Sequence, residues 1–326
     1  MALEARDTGW RSRSVIGCKG LKESEIREVI ARAQELKKLW RGWRGTEFPH
    51  QGLRGKTVVN MFFEASTRTR SSFELAARRL GAHVLNLNTE TSSVTKGETL
   101  FDTARNIEAM EPDLLVLRHA SAGAPLQLSK IIKVPLINAG DGFHEHPTQA
   151  LLDAFTIEEA KGSCKGLKVT IVGDIAHSRV ARSNIYTLQT LGAKVSVCGP
   201  PSLMPPEIEK FGVDVHFDLR EAIREADVVM MLRIQLERQN QMQFPSLGEY
   251  SKFWGLNAGN VSALKPGAII MHPGPLNEGV EISQEVASGP YSVILNQVNN
   301  GVIIRMALMD LIIGSENAGN GGRGRS

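Results

Sequence analysis

The sequence predicts an α/β protein made of two tandem, doubly wound domains, each with a parallel sheet covered by helices. Short β-branched runs alternate with helical segments along most of the chain, as in strands joined by helical crossovers. A length of 326 residues exceeds what one small core usually supports, so two domains are expected. The final apolar segment, VNNGVIIRMALMDLII, predicts a helix that packs back on the first domain.

The first domain is predicted to comprise residues 1–147 and to receive residues 298–326. It begins with an amphipathic helix, KESEIREVIARAQELKKLW, whose apolar residues recur at helical spacing. Short apolar runs then predict strands near 57–63, 83–87, 113–118 and 134–138. Helices are expected between them, near 69–80, 99–110 and 123–131.

The second domain is predicted as residues 148–297 and is entered through a helix from Pro147 to Lys161. Its strand segments are LKVTIVGD, KVSVCGP, VDVHF, DVVMML and GAIIMH, with a helix from Arg179 to Leu191 after the first of them. The polar segment 233–257 is long for a connection. Loops of that size in compact domains usually act as lids or binding loops.

Composition excludes several classes of protein. Charged residues make up 22% and hydrophobic residues 42%, which is typical of a soluble globular protein. A net charge of +3 gives no case for a nucleic-acid partner, and the basic N-terminal region is interleaved with glutamates, as in a solvated amphipathic helix. No secretion signal or membrane span is apparent. The three cysteines (Cys18, Cys164 and Cys198) lack metal or redox spacing and fit a reducing cytoplasm.

An anion site is predicted where the first strand meets its helix. The segment Ser66-Thr67-Arg68-Thr69-Arg70 follows the buried run KTVVNMFF and opens the next helix. The first N–H groups of a helix point outward with partial positive charge, and hydroxyl and guanidinium groups beside them suit a phosphate. The alternative is an ordinary Ser/Thr cap with arginines facing solvent.

Other candidates follow the strand ends, because open α/β sheets bind ligands beyond the carboxyl ends of their strands. Several cations come together there, more than one phosphate needs, so a second anionic group is expected. Besides residues 66–70, the candidates are Lys96, Arg118, His119, His146, Thr148, Gln149, Arg179, Arg233, Gln235, Pro273 and Pro275.

Some of these residues have simpler interpretations. Lys96 alone would be a solvated surface charge, and His119 beside Arg118 is interpreted as structural. Arg179 can simply open a helix, although a cation at the positive end of a helix dipole is locally unfavourable and indicates a ligand.

Two binding motifs are disfavoured. His144 and His146 have the spacing of a metal pair but lack a third ligand at a suitable distance in the sequence. The segment VGDIAHSRVA has a strand-turn-helix setting but lacks the second and third glycines of a dinucleotide fingerprint. We therefore expect neither a metal nor a cofactor.

Four motifs occur in the order of a known family: S-T-R-T-R at 66–70, K-G-E at 96–98, R-H at 118–119 and H-P-T-Q at 146–149. From Leu21 to Ile313 the sequence resembles the aspartate/ornithine carbamoyltransferase family. The resemblance implies an enzyme that transfers the carbamoyl group of carbamoyl phosphate to an amino acid. It assigns carbamoyl phosphate to the first domain and the amino acid to the second. The intact motifs argue against a non-catalytic chain of the same fold.

The second domain indicates the acceptor. Arg233-Ile-Gln235-Leu-Glu237-Arg238 and the H-P-x-P of residues 272–275 resemble the aspartate-accepting members, and the aspartate, Ser-Met-Gly and H-C-L-P features of the ornithine members are missing. Arginines suit a dicarboxylate, whereas a diamino acid would need a carboxylate. The expected product is N-carbamoyl-L-aspartate, formed early in pyrimidine biosynthesis, and the alternative acceptor is ornithine or another amino acid.

The resemblance also implies a role for each candidate. The phosphate is assigned to Ser66, Thr67, Arg68, Thr69 and Arg118. The carbonyl oxygen is assigned to Thr69, Arg118 and His146, and the carbamoyl amide to Gln149 and to main-chain carbonyls near Gly274 and Pro275. Aspartate is assigned to Lys96, Arg179, Arg233 and Gln235. The expected catalytic residues are Arg68, Thr69, Lys96, Arg118, His146 and Gln149.

The same resemblance implies an assembly. Ser92 and Lys96 are expected to reach into the site of a neighbouring subunit in a cytoplasmic homotrimer with shared active sites, and Glu64 is expected to pair with an arginine on domain closure. Association with a dihydroorotase or a regulatory chain stays open. No nucleic acid and no membrane is expected as a partner.

Overall fold

The structure is a computed structural model that describes residues 9–88, 98–235 and 246–315. The chain forms two compact units, unit 1 (Met1–Leu151 with Gly301–Ser326) and unit 2 (Leu152–Asn300). The named strands pair in parallel within one sheet per unit, which confirms the predicted α/β class with two parallel sheets. The predicted boundaries after residues 147 and 297 stay predictions, since one helix runs through each of them.

Unit 1 contains a sheet in the order β2-β1-β3-β4. Strands β1, β3 and β4 are buried on both faces, as expected of a parallel sheet between helices, whereas the edge strand β2 is partly exposed. The strands are β1 (Thr57–Phe62), β2 (His83–Asn88), β3 (Leu114–His119) and β4 (Leu136–Asp141). The helices are α1 (Glu23–Gly42), α2 (Thr67–Arg79), α3 (Leu100–Glu108), α4 (Ala124–Ser129) and the start of α5 (Pro147–Lys161).

Unit 2 contains a sheet in the order β7-β6-β5-β8-β9. Its strands are β5 (Lys168–Val172), β6 (Lys194–Cys198), β7 (Asp214–His216), β8 (Val228–Met231) and β9 (Ile269–Met271). Its helices are α6 (Arg179–Thr190), α7 (Leu219–Arg224), α8 (Leu247–Trp254), α9 (Gln284–Ala287) and the start of α10 (Ile294–Ile313). The later part of α10, from Gly301, belongs to unit 1, as predicted for the returning helix.

Each sheet has one point where the connections diverge. In unit 1 the chain passes from β1 to β2 on one side and from β3 to β4 on the other, so the divergence lies between β1 and β3. In unit 2 it lies between β5 and β8 for the same reason. Ligands of open α/β sheets bind outside the carboxyl ends of the strands at such points.

The structure corrects one prediction in unit 2. Part of the predicted loop 233–257 is helix α8, which starts where Ser246 accepts a hydrogen bond from the Glu249 N–H at 3.0 Å. The Ser-x-x-Glu pattern is a helix-start signal that the polar composition of this segment masks. Tyr250 in α8 is fully buried, so this part of the segment is anchored in the core.

Smaller differences concern helix bounds. Helix α2 begins at Thr67 rather than near 69, α7 was not predicted because six residues carry little periodicity, and α10 begins at Ile294. Within the described residues, no helix combines the length and apolarity needed to cross a bilayer.

Candidate active site

The start of α2 carries the predicted anion-binding segment of unit 1. Ser66 is the N-cap residue, in extended conformation, and its side chain makes no capping hydrogen bond. In α6 and α8 the N-cap serine hydroxyl does accept a backbone N–H. The first turn of α2 holds no acidic residue, while Arg68 is exposed. This helix start therefore offers a hydroxyl group, amide groups and positive charge to an anion.

An ion pair lies beside that helix start. The Arg118 Nη2 atom is 2.6 Å from Oε1 of Glu64, and Nη1 of Arg118 donates to the Ala139 carbonyl at 3.4 Å. The strands bring the two residues together, because the Phe63 N–H donates to the Arg118 carbonyl at 2.9 Å. A buried guanidinium group with a carboxylate on one side is held in place at the divergence point of unit 1.

His119 follows Arg118, and its imidazole ring is held by two contacts. Its Nδ1 accepts the Ser121 N–H at 2.9 Å, and its ring lies 5.5 Å from that of Phe63. Burial lowers the pKa of His119 below its ordinary value of 6.5, and the nearby carboxylates of Glu64 and Asp141 offset only part of that effect.

The β4–α5 loop supplies the remaining unit 1 candidates. Asp141 closes this loop, since its Oδ1 accepts the Glu145 N–H at 3.1 Å and its own N–H donates to the Glu145 carbonyl at 3.1 Å. His146 and Gln149 are buried at the start of α5, and the Gln149 N–H donates to the His146 carbonyl at 3.0 Å. Both side chains thus stand at the carboxyl end of the sheet.

In unit 2, the carboxyl end of β5 carries Arg179 at the first position of α6, almost fully buried. Asp174 lies in the same turn, 1% exposed, and holds His177: its Oδ1 is 2.8 Å from Nδ1 of the ring and accepts the His177 N–H at 3.1 Å. Gly173 precedes them with φ +133°, and a Cβ there would come within 3.0 Å of the Leu232 Cβ. The turn therefore packs tightly against the end of β8.

The end of β8 and the H-P-x-P turn are joined by one amide. Asn277 accepts a hydrogen bond from Nε of Arg233 at 3.3 Å and donates from Nδ2 to the Ile234 carbonyl at 3.0 Å. The Asn277 N–H donates to Oε1 of Glu281 at 2.6 Å. Asn277, which orients Arg233, is thus itself held through both its side chain and its main chain.

The turn itself is organised by His272. Its Nδ1 accepts the Gly274 N–H at 2.8 Å, so the proton of the neutral ring is on Nε2, which lies 3.2 Å from Oε1 of the fully buried Glu281. The Gly274–Pro275 peptide bond is cis. Because Glu281 contacts both His272 and the Asn277 N–H, the turn and the Arg233 segment form one connected structure.

Gln235 completes the β8 group. Its Oε1 atom is buried and has no hydrogen-bond partner among the described residues.

Ser92, Lys96, Glu237 and Arg238 lie outside the described residues, so their predicted roles stay predictions. Among the described residues, no group of three or more metal-binding side chains occurs.

Sequence reasoning missed the supporting residues Asn277 and Glu281 of unit 2 and the His177–Asp174 pair. No periodicity or motif marks Asn277, since its contact with Arg233 spans forty-four positions of the chain. The segment G-D-I-A-H could have predicted the Asp174–His177 pair, because an aspartate three residues before a histidine can close a turn.

The two groups of residues, each at the divergence point of its sheet, define an enzyme of the open α/β type. The sequence model of the aspartate/ornithine carbamoyltransferase carbamoyl-phosphate-binding domain matches residues 13–159. The model of the family's aspartate/ornithine-binding domain matches residues 165–312. The chain belongs to the aspartate/ornithine carbamoyltransferase family.

Individual relatives show which members of the family the chain resembles. The chain is 52% identical over 314 residues to the aspartate carbamoyltransferase catalytic subunit of Syntrophus aciditrophicus, which covers 94% of this chain and 99% of the relative. The structure of aspartate transcarbamoylase from Trypanosoma cruzi, in complex with carbamoyl phosphate and aspartate, is similar with a TM-score of 0.86 at 30% identity, covering 96% of this chain and 100% of that one.

The fold alone does not select the acceptor. Ornithine carbamoyltransferase from Pyrococcus furiosus is also similar, with a TM-score of 0.83 at 30% identity over 94% of this chain and 98% of that one. Sequence identity makes the distinction, since it exceeds half of the aligned residues in the Syntrophus aspartate enzyme; the role of Arg233 and Gln235 in acceptor choice stays a prediction.

Proposed function

We propose that the chain transfers the carbamoyl group of carbamoyl phosphate to the α-amine of L-aspartate, giving N-carbamoyl-L-aspartate and phosphate. The observation that carries this proposal is the pair of polar groups at the two divergence points, one built around a helix start and one around the buried Arg179 and the half-buried Arg233. The relatives named aspartate carbamoyltransferase catalytic subunit support the same reaction.

In unit 1, the phosphate would bind at the start of α2, to the hydroxyl and amide groups of residues 66–69 and to Arg68. Arg118 would contact both the phosphate and the carbonyl oxygen. With Thr69 and His146, it would stabilise the negative charge that develops on that oxygen when the carbonyl carbon becomes tetrahedral. Gln149 and the carbonyls near Gly274 and Pro275 would accept hydrogen bonds from the carbamoyl amide.

In unit 2, the two carboxylates of aspartate would bind Arg179, Arg233 and Gln235. The unprotonated amine attacks the carbonyl carbon, the C–O bond to phosphate breaks, and the leaving phosphate accepts the proton that the nitrogen loses. Little covalent work falls to the protein, so the rate depends on positioning and on electrostatic stabilisation.

The remaining parts of the proposal concern the assembly. Lys96 and Ser92 would act in the site of a neighbouring subunit of a homotrimer. The enzyme would be cytoplasmic and would serve pyrimidine biosynthesis. Whether a dihydroorotase or a regulatory chain joins the trimer is a question for co-purification.

The test is product analysis. The purified chain is given carbamoyl phosphate with aspartate or with ornithine in separate reactions, and Arg68→Ala is assayed in parallel. We expect carbamoyl aspartate as the only product, greatly reduced in the variant. Citrulline would overturn the roles of Arg233 and Gln235, and no product from either acceptor would overturn the proposal as a whole.

A further inference from the structure

The N-terminal segment of unit 1 has no part in the site described so far. Residues 14–19, called here the edge segment, pair with the edge strand β4. The Val15 N–H donates to the Leu136 carbonyl at 2.7 Å, and the Asn138 N–H donates to the Val15 carbonyl at 2.8 Å, as in a parallel bridge. The edge segment therefore runs along β4 toward its carboxyl end.

At that end the edge segment holds a buried carboxylate. Glu145 is 2% exposed; its Oε2 accepts the Cys18 N–H at 2.5 Å, and its Oε1 accepts the Lys19 N–H at 3.3 Å. A Cβ at Gly17 would lie 2.5 Å from Oε1 and 2.9 Å from Cδ of this side chain. The carboxylate thus sits directly on the backbone of residues 17–19, with one N–H for each oxygen.

Contacts of Glu145 and of the edge segment fix the backbone on both sides of His146. The main chain of Glu145 is bonded to Asp141 through its N–H and its carbonyl, each at 3.1 Å. On the other side, the Cys18 thiol contacts the Pro147 carbonyl at 3.9 Å. His146, placed between these two anchored residues at the start of α5, has little freedom to shift.

We propose that Glu145, held by the edge segment, is a positioning residue for His146 in carbamoyl transfer. The inference rests on the proposed function, in which His146 polarises the carbonyl group. A displacement of about 1 Å in a group that acts in the transition state can cost up to about a hundredfold in rate. The anchored carboxylate prevents such a displacement.

The chemistry of the contact makes the role testable with a substitution of the same shape. A carboxylate accepts at both oxygens, whereas glutamine accepts at one and directs an NH₂ group at the second N–H. Glu145→Gln therefore breaks one of the two backbone contacts without creating a cavity.

The chain offers a matched control. Oε1 of Glu108 also accepts two consecutive backbone N–H groups, those of Lys133 and of Val134, the latter at 3.1 Å. These contacts lie at the amino end of β4, opposite to His146. Glu108→Gln removes the same charge but keeps the one oxygen that accepts both N–H groups, so it controls for the loss of a carboxylate charge without displacing the histidine.

The experiment measures kcat and the inhibition constant of inorganic phosphate for the wild type, Glu145→Gln and Glu108→Gln, and repeats Glu145→Gln in a His146→Ala background. We expect kcat to fall about tenfold in Glu145→Gln only, with phosphate inhibition unchanged and no further fall in the His146→Ala background. Gly17→Ala, whose added Cβ would collide with the Glu145 carboxylate, replaces Glu145→Gln if that variant does not fold.

Two results would overturn the inference: a kcat for Glu145→Gln within twofold of that for Glu108→Gln, or the same fold loss when His146 is already alanine. The wild type and Glu108→Gln report separately on the proposed function. If neither forms carbamoyl aspartate, that function fails, whatever the Glu145 variant does.

Discussion

The two units place their polar groups at the same topological position but hold their arginines differently. In unit 1, Arg118 is 2.6 Å from the carboxylate of Glu64. In unit 2, Arg233 donates to the neutral amide of Asn277 at 3.3 Å. An incoming anion at Arg118 therefore competes with a protein carboxylate, while the contact that orients Arg233 comes from a neutral amide.

This difference matches what each unit would bind. A phosphate brings about two charges to a helix start with several donors, and it can displace a carboxylate. An aspartate carboxylate brings one charge and would compete less well. The comparison teaches that the same position of the fold can present an arginine beside a carboxylate or beside an amide.

The largest effect should follow loss of the cation at the start of α2. We expect Arg68→Ala to lower kcat/KM by about a thousandfold or more, or about 4 kcal/mol of transition-state stabilisation, and to weaken phosphate binding. Arg78→Ala is the matched control, since Arg78 lies in the same helix in an exposed pair with Glu74. Steady-state kinetics check both, and equal losses would argue against an anion site at this helix start.

The next effect should separate the two units. Arg233→Ala is expected to raise KM for aspartate about a hundredfold, because a charge-assisted bond to the substrate is lost, while the inhibition constant of inorganic phosphate stays unchanged. Arg220, which donates to the Gly259 carbonyl in the same unit, provides the control when changed to alanine. A shift in phosphate inhibition would contradict the division of binding between the units.

A smaller effect should follow when the unit 2 contact is made to resemble that of unit 1. Asn277→Asp places a carboxylate beside Arg233, and we expect KM for aspartate to rise about tenfold through competition for the guanidinium group. Asn277→Ala loses the same amide donor without adding charge. If the two variants have equal KM values, the charge beside Arg233 does not matter.

The reverse change in unit 1 should act in the opposite direction on binding. Glu64→Gln removes the charge that competes for Arg118, so we expect inorganic phosphate to bind several-fold more tightly, by less than about 1.4 kcal/mol. At the same time kcat should fall, because Arg118 loses its orientation. Weaker phosphate binding, measured by calorimetry, would mean that Glu64 supports the phosphate site and does not compete with it.

The smallest effect concerns pH. The pKa of His119 in the folded chain lies below 6.5, mainly because burial disfavours the charged ring. As the pH falls through the unfolded value, the unfolded chain takes up a proton that the folded chain does not, so the free energy of unfolding declines. His119→Gln should flatten this slope below about pH 7 in urea unfolding. An unchanged slope would contradict the lowered pKa.

The sheets and most helices could be predicted because their apolar periodicity is strong. Strand order could not, since it depends on which strands pair and no local pattern records that; the divergence points emerge only from the structure. Helix α8 was interpreted as loop because Tyr250 is its one buried residue and polar composition outweighed the Ser246–Glu249 signal.

The residues of the site likewise fall into two groups, those with a local sequence signal and those without one. The sequence marks Arg68, Arg118, His146 and Arg233, because they lie at the ends of strands or at helix starts. Asn277 and Glu145 act through contacts with distant parts of the chain, Arg233 and Cys18 respectively, and carry no local signal. Contacts between distant segments are the part of a site that one sequence does not reveal.

The measurement that tests the central claim most directly is calorimetric binding of N-(phosphonacetyl)-L-aspartate, the ligand of a similar Trypanosoma cruzi structure, which joins a phosphonate to an aspartate. Wild type, Arg68→Ala and Arg233→Ala would be titrated with this compound and, separately, with inorganic phosphate. We expect both variants to bind the compound at least tenfold more weakly and only Arg68→Ala to lose phosphate affinity. Wild-type affinity for the compound in Arg233→Ala would contradict the claim that unit 2 binds the aspartate half.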